Sequence, residues 1–140
     1  MSVGQFVFML HSHLPYYRKA GMWPFGEENL YECMAETYVP LLNAISELYD
    51  EGIKAKLTVG ITPILAEQLN DEHLQNGFVE YIDSRIKAVS KDLERYPDPK
   101  VAHSQHLKYL AKYYFDLWNK LRDDFVNKYE KNLIKYFKKY

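Results

Sequence analysis

The sequence predicts an α/β fold with parallel strands, and three observations carry that expectation. Two short runs, 3–10 and 53–61, have the apolar, β-branched and aromatic content of strands. Between them lies a stretch with apolar residues at helical spacing, long enough to form the crossover of a βαβ unit. After the second run the pattern is helical through Tyr140, with Pro and Gly marking the breaks.

The first run, Val3 to Leu10 (VGQFVFML), shows no polar alternation after Gln5. That is the pattern of a strand covered on both faces, as in a parallel sheet. From His11 to Glu28 the chain turns polar and carries Pro15, Gly21, Pro24 and Gly26. This predicts a long ordered loop, and loops of that length usually serve a function. Leu30, Met34, Tyr38, Leu42, Ile45 and Leu48 form a helical stripe that ends near Tyr49. Pro40 falls inside it. Either the helix kinks there, or a second helix begins with Pro40 in its first turn. Gly52 is a natural stop.

Ile53 to Ile61 (IKAKLTVGI) is the second strand, ended by Thr62-Pro63. Pro63 can open a short helix over Ile64 to Leu69. Asn70 or Asp71 then caps a helix to about Tyr96, with Leu74, Phe78, Ile82, Ile86 and Leu93 on one face. Pro97-Asp98-Pro99 breaks it. From about Ala102 to Tyr140 the pattern predicts one long helix or two. The aromatic stripe of this segment, with Tyr114, Leu117, Phe125 and Tyr129, is expected to be core.

Composition narrows the class of function. A chain of 140 residues supports one domain with its own core, and 47% hydrophobic content with 13 Tyr, 7 Phe and 2 Trp does not suit disorder. We expect a single segment, residues 1–140, with no second domain. The net charge of −1 supplies no field to draw in nucleic acid or anionic lipid. The lysines near the end (Lys128, Lys131, Lys135, Lys138, Lys139) interleave with acids and suit a helix C-terminus. One cysteine, Cys33, cannot form an intramolecular disulfide and fits a reducing compartment. The N-terminus lacks a basic start, and no apolar run reaches the length of a membrane span. A cytoplasmic protein is expected.

The chemistry concentrates in His11-Ser12-His13-Leu14-Pro15-Tyr16-Tyr17, directly after the first strand. Ligands of α/β folds sit at the C-terminal ends of parallel strands. Histidines two residues apart face the same side if the strand continues through them. The plainer alternative is a pair of loop histidines satisfied by carbonyls, but the strand-end position and the aromatic surroundings favour a site. A metal is a further alternative, since imidazole is a common ligand. Two ligands are too few, and His73, His103 and His106 fall on distant helices. Tyr16, Tyr17, Trp23 and Phe25 suit stacking on the C–H faces of sugar rings, or equally a plug under the loop. Glu27 and Glu28 suggest an acid–base pair less than a helix N-terminus, where acids favour the dipole.

The runs FVFMLHSHLPYYR, WPFGEE, ETYVPLL and ITPILAEQL resemble the opening of glycoside hydrolase family 57, in particular its glucan branching group. His11, His13 and Pro15 look like the first sequence region of that family, with Leu14 as in the branching group. The likeness covers essentially the whole chain and is strongest from Phe6 to Leu69. It implies a (β/α)7 barrel, of which two parallel strands with their helices are the N-terminal part, incomplete alone. It also implies a retaining double displacement by a Glu nucleophile and an Asp acid, without metal or organic cofactor. No residue of this chain matches either carboxylate, so no catalytic residue is assigned. His11, His13, Trp23 and Tyr16 carry over as substrate-binding residues. The implied partners are an α-1,4-glucan and the remainder of the barrel, on the same or a separate chain, with no nucleic acid and no membrane. A family 57 α-amylase or 4-α-glucanotransferase segment, and a non-catalytic glycan-binding or interaction remnant, are the alternatives. One departure is Asn29, where branching-type relatives often have Trp.

Overall fold

A computed structural model describes residues 3–53, 56–96 and 102–140. The expected break at Pro97-Asp98-Pro99 lies outside them. Two strands, β1 (Phe8–Ser12) and β2 (Leu57–Ile61), pair in parallel with Phe8 opposite Leu57 and Ser12 opposite Ile61. The crossover between them is helical: α1 (Glu27–Cys33), a wide π-turn (Met34–Tyr38) and α2 (Val39–Asp50). Two more helices follow β2, α3 (Pro63–Asn70) and α4 (Glu72–Arg95). The rest comprises α5 (Ser104–Asp123), a second π-turn (Asp124–Lys128) and α6 (Leu133–Phe137). This is the expected α/β class with two parallel strands.

The chain divides into two compact units, 1–74 with 132–140, and 75–131. The first holds both strands. Its core is Leu30, Tyr31, Met34, Tyr38, Val39 and Leu42 from the crossover, joined by Leu65, Leu69, Leu74 and Leu133. In the second, Phe78 meets Phe125 edge to face at 4.8 Å, and Tyr81 meets Trp118 at 6.0 Å. The Arg85 guanidinium lies 4.6 Å from the Tyr81 ring centre, and Arg122 Nε donates to Asp83 at 2.6 Å.

Several boundaries follow directly from side-chain chemistry. Pro40 stands inside a continuous helical path, and the π-turn just before it, where the Val39 N–H reaches back five residues to the Met34 carbonyl, accommodates a residue that has no N–H to donate. Gly52 ends the crossover with φ +74°. Pro63 opens α3, and the Asp71 carboxylate accepts the Leu74 N–H at 3.1 Å, capping α4. In the final segment the helical path ends after the second π-turn, where Glu130 and Lys131 take positive φ before α6.

Three expectations need correction. The first strand begins at Phe8 and continues through His11 and Ser12, so His11 belongs to the strand. It is also not covered on both faces: Phe6, Val7, Phe8 and Met9 are exposed. Apolar content records what a strand is suited to pack against, and here the described residues give β1 only β2 as a sheet neighbour. Likewise Tyr114 and Leu117 of α5, expected in the core, are exposed, while Leu121, Phe125 and Tyr129 are buried.

Candidate functional site at the strand ends

His11 lies in the last turn of pleat of β1, opposite Gly60 of β2. A Cβ added at Gly60 would lie 3.4 Å from His11 Nδ1, an ordinary van der Waals contact, so the imidazole lies directly against this position of β2. His13 follows the strand, and both histidines are exposed. Beside them, Tyr38 of the π-turn is buried. Desolvation pushes its hydroxyl up to about 12, against the lowering effect of a hydrogen bond with Ser12. The Thr62 hydroxyl at the end of β2 is sealed from solvent and has no hydrogen-bond partner among the described residues.

The chain then leaves the sheet as an anchored loop. Tyr16 is 63% exposed and Trp23 78%, with Met22 and Phe25 exposed beside Trp23. The loop's polar atoms are tied down in three places. Gln68 of α3, only 1% exposed, accepts the Tyr17 N–H at 2.7 Å and donates to the Pro15 carbonyl at 2.9 Å. Arg18 Nε donates to Asp71 at 2.8 Å. Glu27, 7% exposed, accepts the Lys19 N–H at 3.0 Å and the Tyr31 hydroxyl at 3.1 Å, with His73 Nε2 at 3.1 Å.

Burial pushes the Glu27 carboxyl up, but these hydrogen bonds outweigh it and hold the group below the usual carboxylate range. Asp71 behaves alike: desolvation raises it, while Arg18 and the Leu74 N–H bring it down further. Tyr16, Arg18, Glu67, Gln68, Asp71 and Leu74 line a small cavity of about 100 Å³.

Within the loop, Glu27 N–H donates to Gly21 O at 2.8 Å and Glu28 N–H to Met22 O at 3.3 Å. This closes a tight turn that carries Trp23 at its tip, with a cis bond to Pro24. Gly26 is forced by that closure, because a Cβ there would lie 2.1 Å from Gly21 O.

His11 lies in β1, and His13 and Tyr16 follow it within five residues of sequence as the chain leaves the strand. Trp23 is not continuous with them but stands on the loop's second turn. Glu27 opens α1, as the helix-terminus reading of the acid pair expects. Its burial, and the anchoring roles of Gln68 and Asp71, were not anticipated. A Gln flanked by Leu65 and Leu69 on the buried side of a short helix was the available signal. Among the described residues no three His, Cys, Asp or Glu side chains are grouped as a metal site requires. No helix among them is long and apolar enough to cross a membrane.

The family model "Glycosyl hydrolase family 57" matches residues 7–140. The chain belongs to glycosyl hydrolase family 57. It is 42% identical over 125 residues to a 1,4-alpha-glucan branching enzyme of Thermococcus kodakarensis, a match covering 89% of this chain and 18% of that protein. The crystal structure of a GH57-type branching enzyme from Pyrococcus horikoshii superposes with a TM-score of 0.85 at 34% identity, covering 95% of this chain and 24% of that one. The alpha-amylase AmyC of Thermotoga maritima superposes with a TM-score of 0.77 at 31% identity, covering 96% and 24%. The family 57 chain therefore spans about a fifth to a quarter of the length of these relatives.

Proposed function

We propose that this family 57 chain forms part of a retaining α-glucan-active enzyme of the branching type and supplies glucan-binding residues to it. The observation that carries the reading is the placement of His11 and His13 at the C-terminal end of β1, leading into a pinned loop with exposed Tyr16 and Trp23 rings. That strand end is where α/β enzymes bind substrate. Imidazoles offer hydrogen bonds to sugar hydroxyls, and flat aromatic rings offer the apolar faces a glucose unit stacks upon. The 42% identity to a branching enzyme supports the branching type. The likeness to an amylase supports hydrolysis as the second reading.

In this proposal residues 1–140 form one segment of a (β/α)7 barrel acting in the cytoplasm on α-1,4-glucans, as in glycogen metabolism. The remaining strands come from further polypeptide. That polypeptide also brings the Glu that attacks the anomeric carbon and the Asp that protonates the leaving oxygen. In branching, the covalent glucosyl chain then passes to a 6-hydroxyl of another glucan.

The direct test is titration of the chain with maltoheptaose, followed by tryptophan fluorescence. Trp23 is 78% exposed and Trp118 belongs to the second unit, so the two are separable by substitution. Binding should perturb Trp23 emission, and Trp23→Ala should weaken affinity about tenfold. Unchanged affinity in that variant would remove the stacking role. The chain alone is expected to be inactive on amylose, and turnover by purified chain would contradict the assignment of both carboxylates to further polypeptide.

A further inference from the structure

The buried polar side chains among the described residues are Glu27, Ser46, Gln68 and Asp124. Ser46 donates to Asn43 O at 3.0 Å, and Asp124 accepts from Lys120 at 2.7 Å, each within a continuous helical stretch. Gln68 instead reaches across 51 and 53 positions of sequence to the loop after β1. Its Oε1 accepts the Tyr17 N–H, and its Nε2 donates to the Pro15 carbonyl. These two backbone groups flank Tyr16. A side-chain amide presents the same donor and acceptor as a peptide unit, so Gln68 pairs with residues 15–17 as a neighbouring strand would. Nε2 also donates to Ile64 O at 3.3 Å on its own helix, which uses its second hydrogen.

Hydrogen bonds on both sides of a residue restrict its backbone and with it the direction of the Cα–Cβ bond. Tyr16 as a whole residue is 63% exposed, so packing around it does little to aim it. The aim comes from the backbone, and the backbone is held from Gln68. We propose that Gln68 is a positioning residue for glucan binding, fixing the direction of Tyr16 at the strand-end site. This rests on the glucan reading above. The role needs both halves of the amide. Glu at this position offers no donor at neutral pH and sets a carboxylate against the Pro15 carbonyl, while Leu offers neither donor nor acceptor.

The test uses the 140-residue chain with Gln68→Leu, Gln68→Glu, Tyr16→Ala and the Gln68→Leu/Tyr16→Ala pair. In Gln68→Leu, amide exchange at Tyr17 followed by NMR should accelerate about tenfold or more. The Lys19 amide, held by Glu27, should keep its rate and so report that the scaffold is intact. Maltoheptaose affinity should fall about tenfold in Gln68→Leu, with no further loss when Tyr16→Ala is combined with it. Gln68→Glu should keep the Tyr17 amide protected yet still lose affinity. An unchanged Tyr17 rate, or losses that simply add in the double variant, overturns the proposal. If Gln68→Leu fails to fold, Gln68→Glu decides, and full affinity in it overturns the proposal. A wild-type chain that does not bind maltoheptaose removes the glucan reading and the binding role with it. The Tyr17 rate still reports separately whether Gln68 holds the loop.

Discussion

The Tyr31 hydroxyl donates to the Glu27 carboxylate at 3.1 Å, one helical turn apart on α1, with both side chains buried. The same carboxylate receives the Lys19 N–H from the loop. A single acidic side chain therefore ties the first turn of α1 to the segment that carries the aromatic tip. Removing one donor leaves part of a buried charge uncompensated. Tyr31→Phe should lower stability by about 1–3 kcal/mol, read as a drop in the urea midpoint. An unchanged midpoint would mean that the Lys19 amide and His73 satisfy the carboxylate alone.

Acid should loosen the same anchors. Glu27 and Asp71 both have native pKa values below the ordinary carboxylate range. Each binds its proton more readily unfolded than folded. Their contribution is complete above the unfolded values of about 4 and is lost as pH falls through the lower native ones. Melting temperature should decline as pH is taken from about 5 towards 3, and Glu27→Gln and Asp71→Asn should each flatten that decline. The same slope in the variants as in the parent chain would place the acid sensitivity elsewhere.

Two glycines should answer differently to alanine. At Gly52 a Cβ meets open space, but φ is +74°, so Gly52→Ala should cost only about 1 kcal/mol of backbone strain. At Gly26 the Cβ would run into the backbone of Gly21 and Met22, and backbone cannot swing aside as a flexible side chain does. Gly26→Ala should therefore cost more than Gly52→Ala in thermal melting and should also change Trp23 fluorescence. Equal costs would mean that the turn yields easily.

Much of the fold was legible because the punctuation is local. Pro63 opens α3, Asp71 caps α4 and Gly52 ends the crossover, each by chemistry that needs only near neighbours in sequence. The histidine pair was also visible as a strand-end feature. The extent of β1 was not, because a strand boundary depends on where its partner ends, and β2 pairs through Ile61 opposite Ser12. The anchors were missed for a related reason. Gln68 and Glu27 find partners on distant segments, and a buried polar residue looks like a surface one until those segments are brought close. The exposed Tyr114 and Leu117 show the reverse error: a helical stripe marks a face but does not say what covers it.

Phe8 and Met9 of β1, with Phe6 and Val7 just before it, stand in the open, and the strand's second edge has no partner among the described residues. Free backbone groups beside bare aromatic side chains form a template onto which other extended segments add. For as long as it stays uncovered, such a surface competes for chaperones and proteases. The lifetime of this polypeptide should then follow how quickly the sheet is capped. Its helices could be made more stable without making the molecule last longer.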